Sequence, residues 1–230
     1  MSGCNQQTTS SISTLCARHK AAQRKHGHPE QEPVRKRELN AHLATVRRAI
    51  RRNPNSDVWS VLRARWNALQ LHALGILADH HDGRPGTSYE RQAAAEFLRL
   101  CDGGAGPPPP TSEADLSDAD KSACRSLGGA IEGVLAICVM QDLVPAKRFT
   151  SDDAFLVQAA RVARKAVPRY RKGGMDGRAE LSPRAFLVLG RWMVETFGLP
   201  AYRIAEGEKV RRTKADAERA RLHAALRELR

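Results

Sequence analysis

LGGAIEGVLAICVMQDLV, residues 127–144, comes nearest of any segment to an uninterrupted apolar run. It falls short of the roughly 20 apolar residues a membrane-spanning helix needs, and it carries Glu132 and Asp142. The stretch therefore reads as a helix buried on most of its sides, and no membrane partner is expected. Such a helix is stable only if other helices surround it. Gly129 and Gly133, four residues apart, let one neighbour approach closely. Ser117 is the expected cap upstream, and Pro145 stops the helix downstream.

Outward from this core the pattern stays helical, and no long run of alternating β-branched residues interrupts it. Leu39, Leu43, Val46 and Ile50 share one stripe of a helix over about 33–52, which Asn53-Pro54 ends. A second helix, capped by Asn55 or Ser56, runs to about Asp79 with Val58, Leu62, Trp66, Leu69, Ala73 and Ile76 inward. Thr87 and Glu90 make a capping box for a third, striped by Tyr89, Ala93, Phe97 and Leu100. After the core helix, Thr150 and Asp153 are the expected box of the next one, with Phe155, Ala159, Val162 and Ala166 inward. Ser182-Pro183 then opens a helix carrying Phe186, Leu189, Met193 and Phe197, with Gly198 as its expected stop. A polar helix over about 208–229 follows. The expected fold is all-α, a bundle of about six to eight helices. Residues 34–101 form an N-terminal helical part, 102–112 a Gly/Pro linker and 113–230 a C-terminal part. The linker separates two lobes or is a long loop within one domain.

Hydrophobic residues make up 41% of the 230, which excludes a wholly disordered chain. Residues 1–33 are the exception. They are poor in apolar side chains, and their first acid is Glu30, so a disordered basic arm is expected there. In composition this head resembles export signals, organelle transit peptides and the basic arms of viral coat proteins alike. The odd count of 5 cysteines, with no CxxC spacing, points to reduced thiols in a cytosol-like compartment, with a virion or host cell as the alternative.

The net charge is +13, unevenly spread. Residues 1–65 carry 13 basic and 4 acidic side chains, residues 66–145 carry 5 and 11, and residues 146–230 carry 20 and 10. Two basic ends thus flank an acidic middle. Arg outnumbers Lys 29 to 9. GC-rich coding explains that ratio but not the net charge, and Arg forks match phosphate geometry. Four basic groups stand out. Arg18, Lys20, Arg24 and Lys25 lie in the arm. Arg37, Arg48, Arg51 and Arg52 fall opposite the apolar stripe of the first helix. Arg169, Tyr170, Arg171 and Lys172 precede Gly173-Gly174, so that a ring for stacking sits among cations for phosphates. The fourth group rests on a helix-turn-helix pattern over 191–212. Val194, Phe197, Gly198, Leu199 and Ile204 take its apolar and turn positions, and Arg203, Lys209, Arg211 and Arg212 face a nucleic acid. Pro200 and Gly207 depart from that pattern.

Two clusters have metal-binding residue types. Cys16, His19, His26 and His28, with Cys4 nearby, lack a familiar finger spacing. His72, His80 and His81, beside Asp82, read equally as a helix end and its turn. No phosphate-binding Gly loop, Gly-x-Ser-x-Gly elbow, HExxH or dinucleotide fingerprint is present, and no cofactor or catalytic residue is expected. Asp152-Asp153 and Glu113, Asp115, Asp118 and Asp120 read as charge at helix starts.

The functional expectation is a non-enzymatic nucleic-acid-binding protein, DNA or RNA, of a viral packaging or mobile-element regulatory kind. Its Arg-rich surfaces would grip the phosphate backbone, and the acidic middle of one copy would meet a basic end of another in a homo-oligomer. The alternative is a protein-interaction module with an N-terminal targeting segment. A third class is a small metal-dependent enzyme using His72, His80 and His81.

Overall fold

The computed structural model describes residues 15–107, 127–144, 148–167, 171–172, 175–176 and 181–228. Seven α-helices occur among them: α1 (Ala17–His26), α2 (Lys36–Arg52), α3 (Asp57–His81), α4 (Ser88–Asp102), α5 (Gly129–Leu143), α6 (Asp152–Lys165) and α7 (Pro183–Glu228). Two dipeptide strands, β1 (Arg171–Lys172) and β2 (Met175–Asp176), pair antiparallel between α6 and α7. The fold is an all-α bundle. Among the described residues, no helix is long and apolar enough to cross a membrane.

The 127–144 stretch folds as α5, and every residue from Ala130 to Met140 is buried, Glu132 included. Burying a Leu, Ile or Met side chain stabilises the fold by roughly 1.5–3 kcal/mol, so α5 is the main apolar contribution of any single element. It is covered by α2, α6 and α7. The two small residues work as expected. A Cβ on Gly133 would lie 2.8 Å from Val162, and one on Gly129 would lie 3.2 Å from Ala166, so α6 rests directly on the α5 backbone. The α3–α4 pair completes the bundle by packing on α7. Trp66 sits at that junction, 4.7 Å from the Phe97 ring and 6.3 Å from the Phe197 ring between centroids. Apolar residues of 34–101 and of 127–205 belong to one core cluster. Ser117 and residues 108–126 lie outside the described residues. The near side of the linker is packed: Ala105 is buried, and its carbonyl accepts the Ala130 N–H at 3.0 Å.

Several caps form as read. Thr87 Oγ1 accepts from the Glu90 N–H, and the Glu90 carboxylate accepts the Thr87 N–H at 3.2 Å. Ser182 Oγ accepts from the Ala185 N–H at 3.2 Å. One cap is shifted. Ser151 rather than Thr150 caps α6, accepting from the Ala154 N–H at 3.1 Å. Thr150 is used elsewhere, donating its N–H to Gln31 Oε1 at 3.0 Å.

That bond belongs to the largest correction at the N-terminal end. Residues 15–33, expected to be part of a disordered arm, form α1 and an ordered connection, while 1–14 lie outside the described residues. Two buried glutamines anchor this segment. Gln158 of α6 is buried; its amide oxygen accepts the Val34 N–H at 3.3 Å, and its amide nitrogen bonds His26 Nδ1 at 3.0 Å. Buried Gln31 ties the same segment to Thr150. An apolar-pattern reading is blind to such bonds, yet each is worth about 0.5–1.5 kcal/mol once buried.

The second correction concerns Gly198. The chain does not turn there, and α7 runs 46 residues straight through Pro200. There is accordingly no helix-turn-helix over 191–212. A proline inside a helix leaves the carbonyl four residues back without its N–H. That carbonyl is Thr196, and Arg65 of α3 donates Nη1 to it at 2.9 Å. The guanidinium supplies from outside the donor that Pro200 lacks.

Stability should respond to this packing at two places. A Cβ on Gly190 would collide with the Leu156 carbonyl oxygen, a backbone atom of α6, whereas Gly75 has nothing within 4 Å. Gly190→Ala is expected to cost about 1–3 kcal/mol, and Gly75→Ala to stabilise by up to about 1 kcal/mol, both read from urea melts. In a double-mutant cycle, Arg65→Met should cost about 1–2 kcal/mol in the parent chain. It should cost much less in a Pro200→Ala background, where the alanine has a backbone N–H of its own to donate to the Thr196 carbonyl.

Candidate functional site

The second half of α2 lies along the middle of α7, and the two helices enclose a groove of about 310 Å³ closed at one end by the α2–α3 turn. Its floor is apolar, from Val58, Trp59, Pro200 and Ile204. Its walls carry Arg48 and Arg52 from α2 and Arg203 and Arg211 from α7. Four of the sequence-predicted contact residues, from segments about 150 residues apart, thus converge on one concave surface. The convergence depends on α7 continuing past Gly198, which puts Arg203, Glu208 and Arg211 on successive turns of one helix facing α2.

Glu208, which the sequence reading passed over, organises this surface. It is 7% exposed and the only acid among the described residues that line the groove. Arg211 binds it through two nitrogens at 2.5 and 2.8 Å, Arg212 at 3.4 Å, and Arg48 reaches it from α2 at 3.6 Å. The hydrogen bonds from Arg211 are the chief reason its carboxyl is pulled down to about 2. Three cations share one carboxylate, so the cluster keeps an excess of positive charge. Arg52 and Arg203 make no ion pair among the described residues and are exposed. Near Arg212, His42 is pushed below its usual range by burial and by that guanidinium.

The other predicted residues fare differently. Arg48 is not on a free solvent face: α2 packs on two neighbours, and the side opposite Leu39 and Leu43 turns partly toward α7. Arg37 sits at the first turn of α2, away from the groove, and Arg51 is exposed. Arg169 and Tyr170 lie outside the described residues, and of Arg171 and Lys172 the structure gives the backbone of β1. Beyond Glu208, α7 projects from the bundle. From Lys209 to Arg227 every residue is exposed except half-buried Ala215. Lys209 bonds Asp142 at 2.6 Å and Arg219 bonds Asp216 at 3.3 Å.

Part of the acidic middle is satisfied within the chain. Glu132 accepts from Arg47 at 2.9 Å, and Glu96 accepts from Arg99 at 2.5 Å and Arg164 at 2.6 Å. The Glu132–Arg47 and Glu96–Arg164 pairs join acids of 66–145 to cations of both basic ends, a role expected between copies.

Among the described residues, no three His, Cys, Asp or Glu side chains come together as a metal set. His72 packs edge-on against Trp192, with centroids 5.1 Å apart, and His80 contacts Arg91. Cys16 and His19 bond one another at 3.3 Å, while His26 turns to Gln158 and His28 accepts from the Glu30 N–H. Cys16, Cys101 and Cys138 are thiols rather than disulfide halves, and burial pushes Cys138 up to about 12. Cys4, Cys124 and the Glu113–Asp120 acids lie outside the described residues. No family model, curated protein or solved structure matches the chain.

A carboxylate held at about 2 in the fold, against an ordinary 4.5, stabilises the fold at every pH above 4.5 and loses that contribution as pH falls through 4.5 toward 2. Its arginine partners are between 37% and 51% exposed, which screens the pairs. Glu208→Gln should therefore destabilise the protein at pH 7 by about 1–2 kcal/mol. The gap between variant and parent should narrow steadily in urea melts between pH 5 and pH 3.

Proposed function

We propose that this protein binds nucleic acid without catalysis, holding the phosphate backbone in the α2–α7 groove and along the projecting end of α7. The observation that carries this reading is the groove itself. Four arginines from two distant segments line it, Glu208 is the one acid among them, and Arg52 and Arg203 have no ion-pair partner among the described residues. Arg forks suit phosphate oxygens, and an apolar floor beside them suits a sugar or a base face. The distal part of α7 adds Lys214, Arg221 and Arg227, exposed and likewise without an ion pair among the described residues. A helix free around its circumference is narrow enough to enter the major groove of a duplex. These contacts are sequence-independent in kind, which suits packaging or an accessory role more than a specific operator reader.

A second reading, a protein-interaction module, is favoured by Leu222 and Leu226, which stand 65% and 60% exposed one turn apart on the same projecting segment.

The two readings separate in one titration. Fluorescence anisotropy of labelled DNA and RNA oligonucleotides against the full chain should show affinity falling steeply and log-linearly with salt. Arg52→Ala combined with Arg203→Ala should weaken binding about equally across sequences and lower the salt slope by about 2. A flat salt dependence, or no binding at low salt, removes the nucleic-acid reading and leaves the interaction module.

A further inference from the structure

A second and larger cleft, about 640 Å³, opens on another part of the bundle, between α1, α6 and the start of α7. Its lining includes Arg24 and Lys25 of α1, Arg161 of α6, and Gln92, Ser182 and Phe186. None of the described residues that line it is acidic. The nearest buried carboxylate is Glu96, and it is already held by Arg99 and Arg164.

Arg161 is half-buried with one hydrogen bond, from Nη1 to the Lys25 carbonyl at 3.1 Å, and no ion pair among the described residues. That bond draws the α1 backbone, and with it Lys25, toward the α6 cations. The flat face of Phe186 lies beneath the guanidinium, 5.8 Å from its centre, and Arg164 lies over the same ring at 5.1 Å. These contacts hold the two planes in place before anything binds. Gln92 spends its amide oxygen on the Ser182 N–H at 3.0 Å, which leaves its amide nitrogen as a donor. Ser182 and Pro183 also bring the positive end of the 46-residue α7 to the same opening.

The electrostatics are unfavourable as they stand. Arg161 is lowered first by burial and then by Arg164, Lys165 first by burial and then by Arg161, and His26 first by burial and then by Arg161, Lys25 and Lys165. Arg161 and Lys165 are thus disfavoured as cations by burial and by a neighbouring arginine, and none of the described residues lining the cleft is an acid to offset them. A cluster kept in that condition around an open cleft is complementary to a compact, multiply charged oxyanion. Planar Arg donors and a Lys point charge match the oxygens of a phosphate group.

We propose that the cleft between α1, α6 and α7 is a phosphate-binding site, with Arg161 as its central ligand and Arg24, Lys25 and Gln92 around it. It is distinct from the α2–α7 groove and stands whether or not that groove binds a polynucleotide. The phosphate belongs either to a free small ligand or to the end of a nucleic-acid strand.

The experiment uses the full chain and pyrophosphate as the probe, at constant ionic strength set with sodium chloride. The melting temperature should rise saturably with pyrophosphate. Arg161→Gln, and separately Arg24→Ala with Lys25→Ala, should weaken the apparent affinity about tenfold or more, while Arg191→Ala, at an exposed arginine that lines neither cleft, leaves it unchanged. Arg161→Gln also loses the Lys25 carbonyl bond and the Phe186 contact, so its ligand-free melting temperature is measured alongside, and the pyrophosphate-induced rise above that baseline is what the substitution should abolish.

A second arm compares 5′-phosphorylated and 5′-hydroxyl oligonucleotides of one sequence. A preference for the phosphorylated strand that Arg161→Gln abolishes assigns the site to strand ends. Equal binding of the two strands with pyrophosphate binding retained assigns it to a free phosphate ligand. No saturable response to pyrophosphate, or one that Arg161→Gln leaves untouched, overturns the proposal.

Discussion

The burial of α5 is the constraint from which the rest of the architecture follows. A helix apolar around its whole circumference has no face for water, so at least three helices must cover it, and α2, α6 and α7 do. Its glycines let α6 lie against its backbone, and Gly190 of α7 lets α7 approach the backbone of α6 at Leu156. α7 in turn carries the α3–α4 pair. α2 is positioned by the same helix on one side and meets α7 on the other, which creates the arginine-lined groove. The candidate site is thus a by-product of enclosing α5, assembled from segments that have no local reason to meet.

Glutamates at the helix contacts decide how much of the charge is available to a partner. Glu96, Glu132 and Glu208 are each buried at 7% exposure or less, and each is paired with arginine. Such pairs contribute modestly to stability but specify which helices meet, since leaving a buried carboxylate unpaired is costly. The arginine excess is therefore in part internal to the fold. Of the cations that remain, Arg52 and Arg203 meet at one groove, Arg24, Lys25 and Arg161 at another cleft, and others line the basic end of α7.

Features carried by local pattern were legible in the sequence: the buried core helix, the apolar stripes of α2 to α4, the Thr87–Glu90 box and the Ser182-Pro183 start. The misreadings share one physical origin, a contact between distant residues that outweighs a local signal. Gly198 and Pro200 are strong stop signals taken alone, but Arg65, more than 130 residues earlier, satisfies the Thr196 carbonyl and the helix continues. Residues 15–33 lack the apolar content to fold alone, but Gln31 and Gln158 tie them down by hydrogen bonds. Arg48 looks like a solvent-facing cation until Glu208 arrives beside it. The contact set was half legible for the same reason. The arginines could be named, but their common groove, and the acid that organises it, depend on how α2 and α7 cross.

At about 1.5 Å per residue, α7 is about 69 Å long, while its contacts with the bundle end near Glu208. Its first half is held by the core, and its last ~20 residues depend on intrinsic helix propensity, a length at which an isolated helix is only marginal in water. One continuous helix therefore contains two thermodynamic regimes. The distal turns form and melt as a helix–coil equilibrium while the rest of the protein stays folded, so loss of helical signal and loss of tertiary packing need not coincide on denaturation. Anything that grips the distal segment lengthens the cooperative unit, and the protein then reports occupancy of that end as a gain in helix.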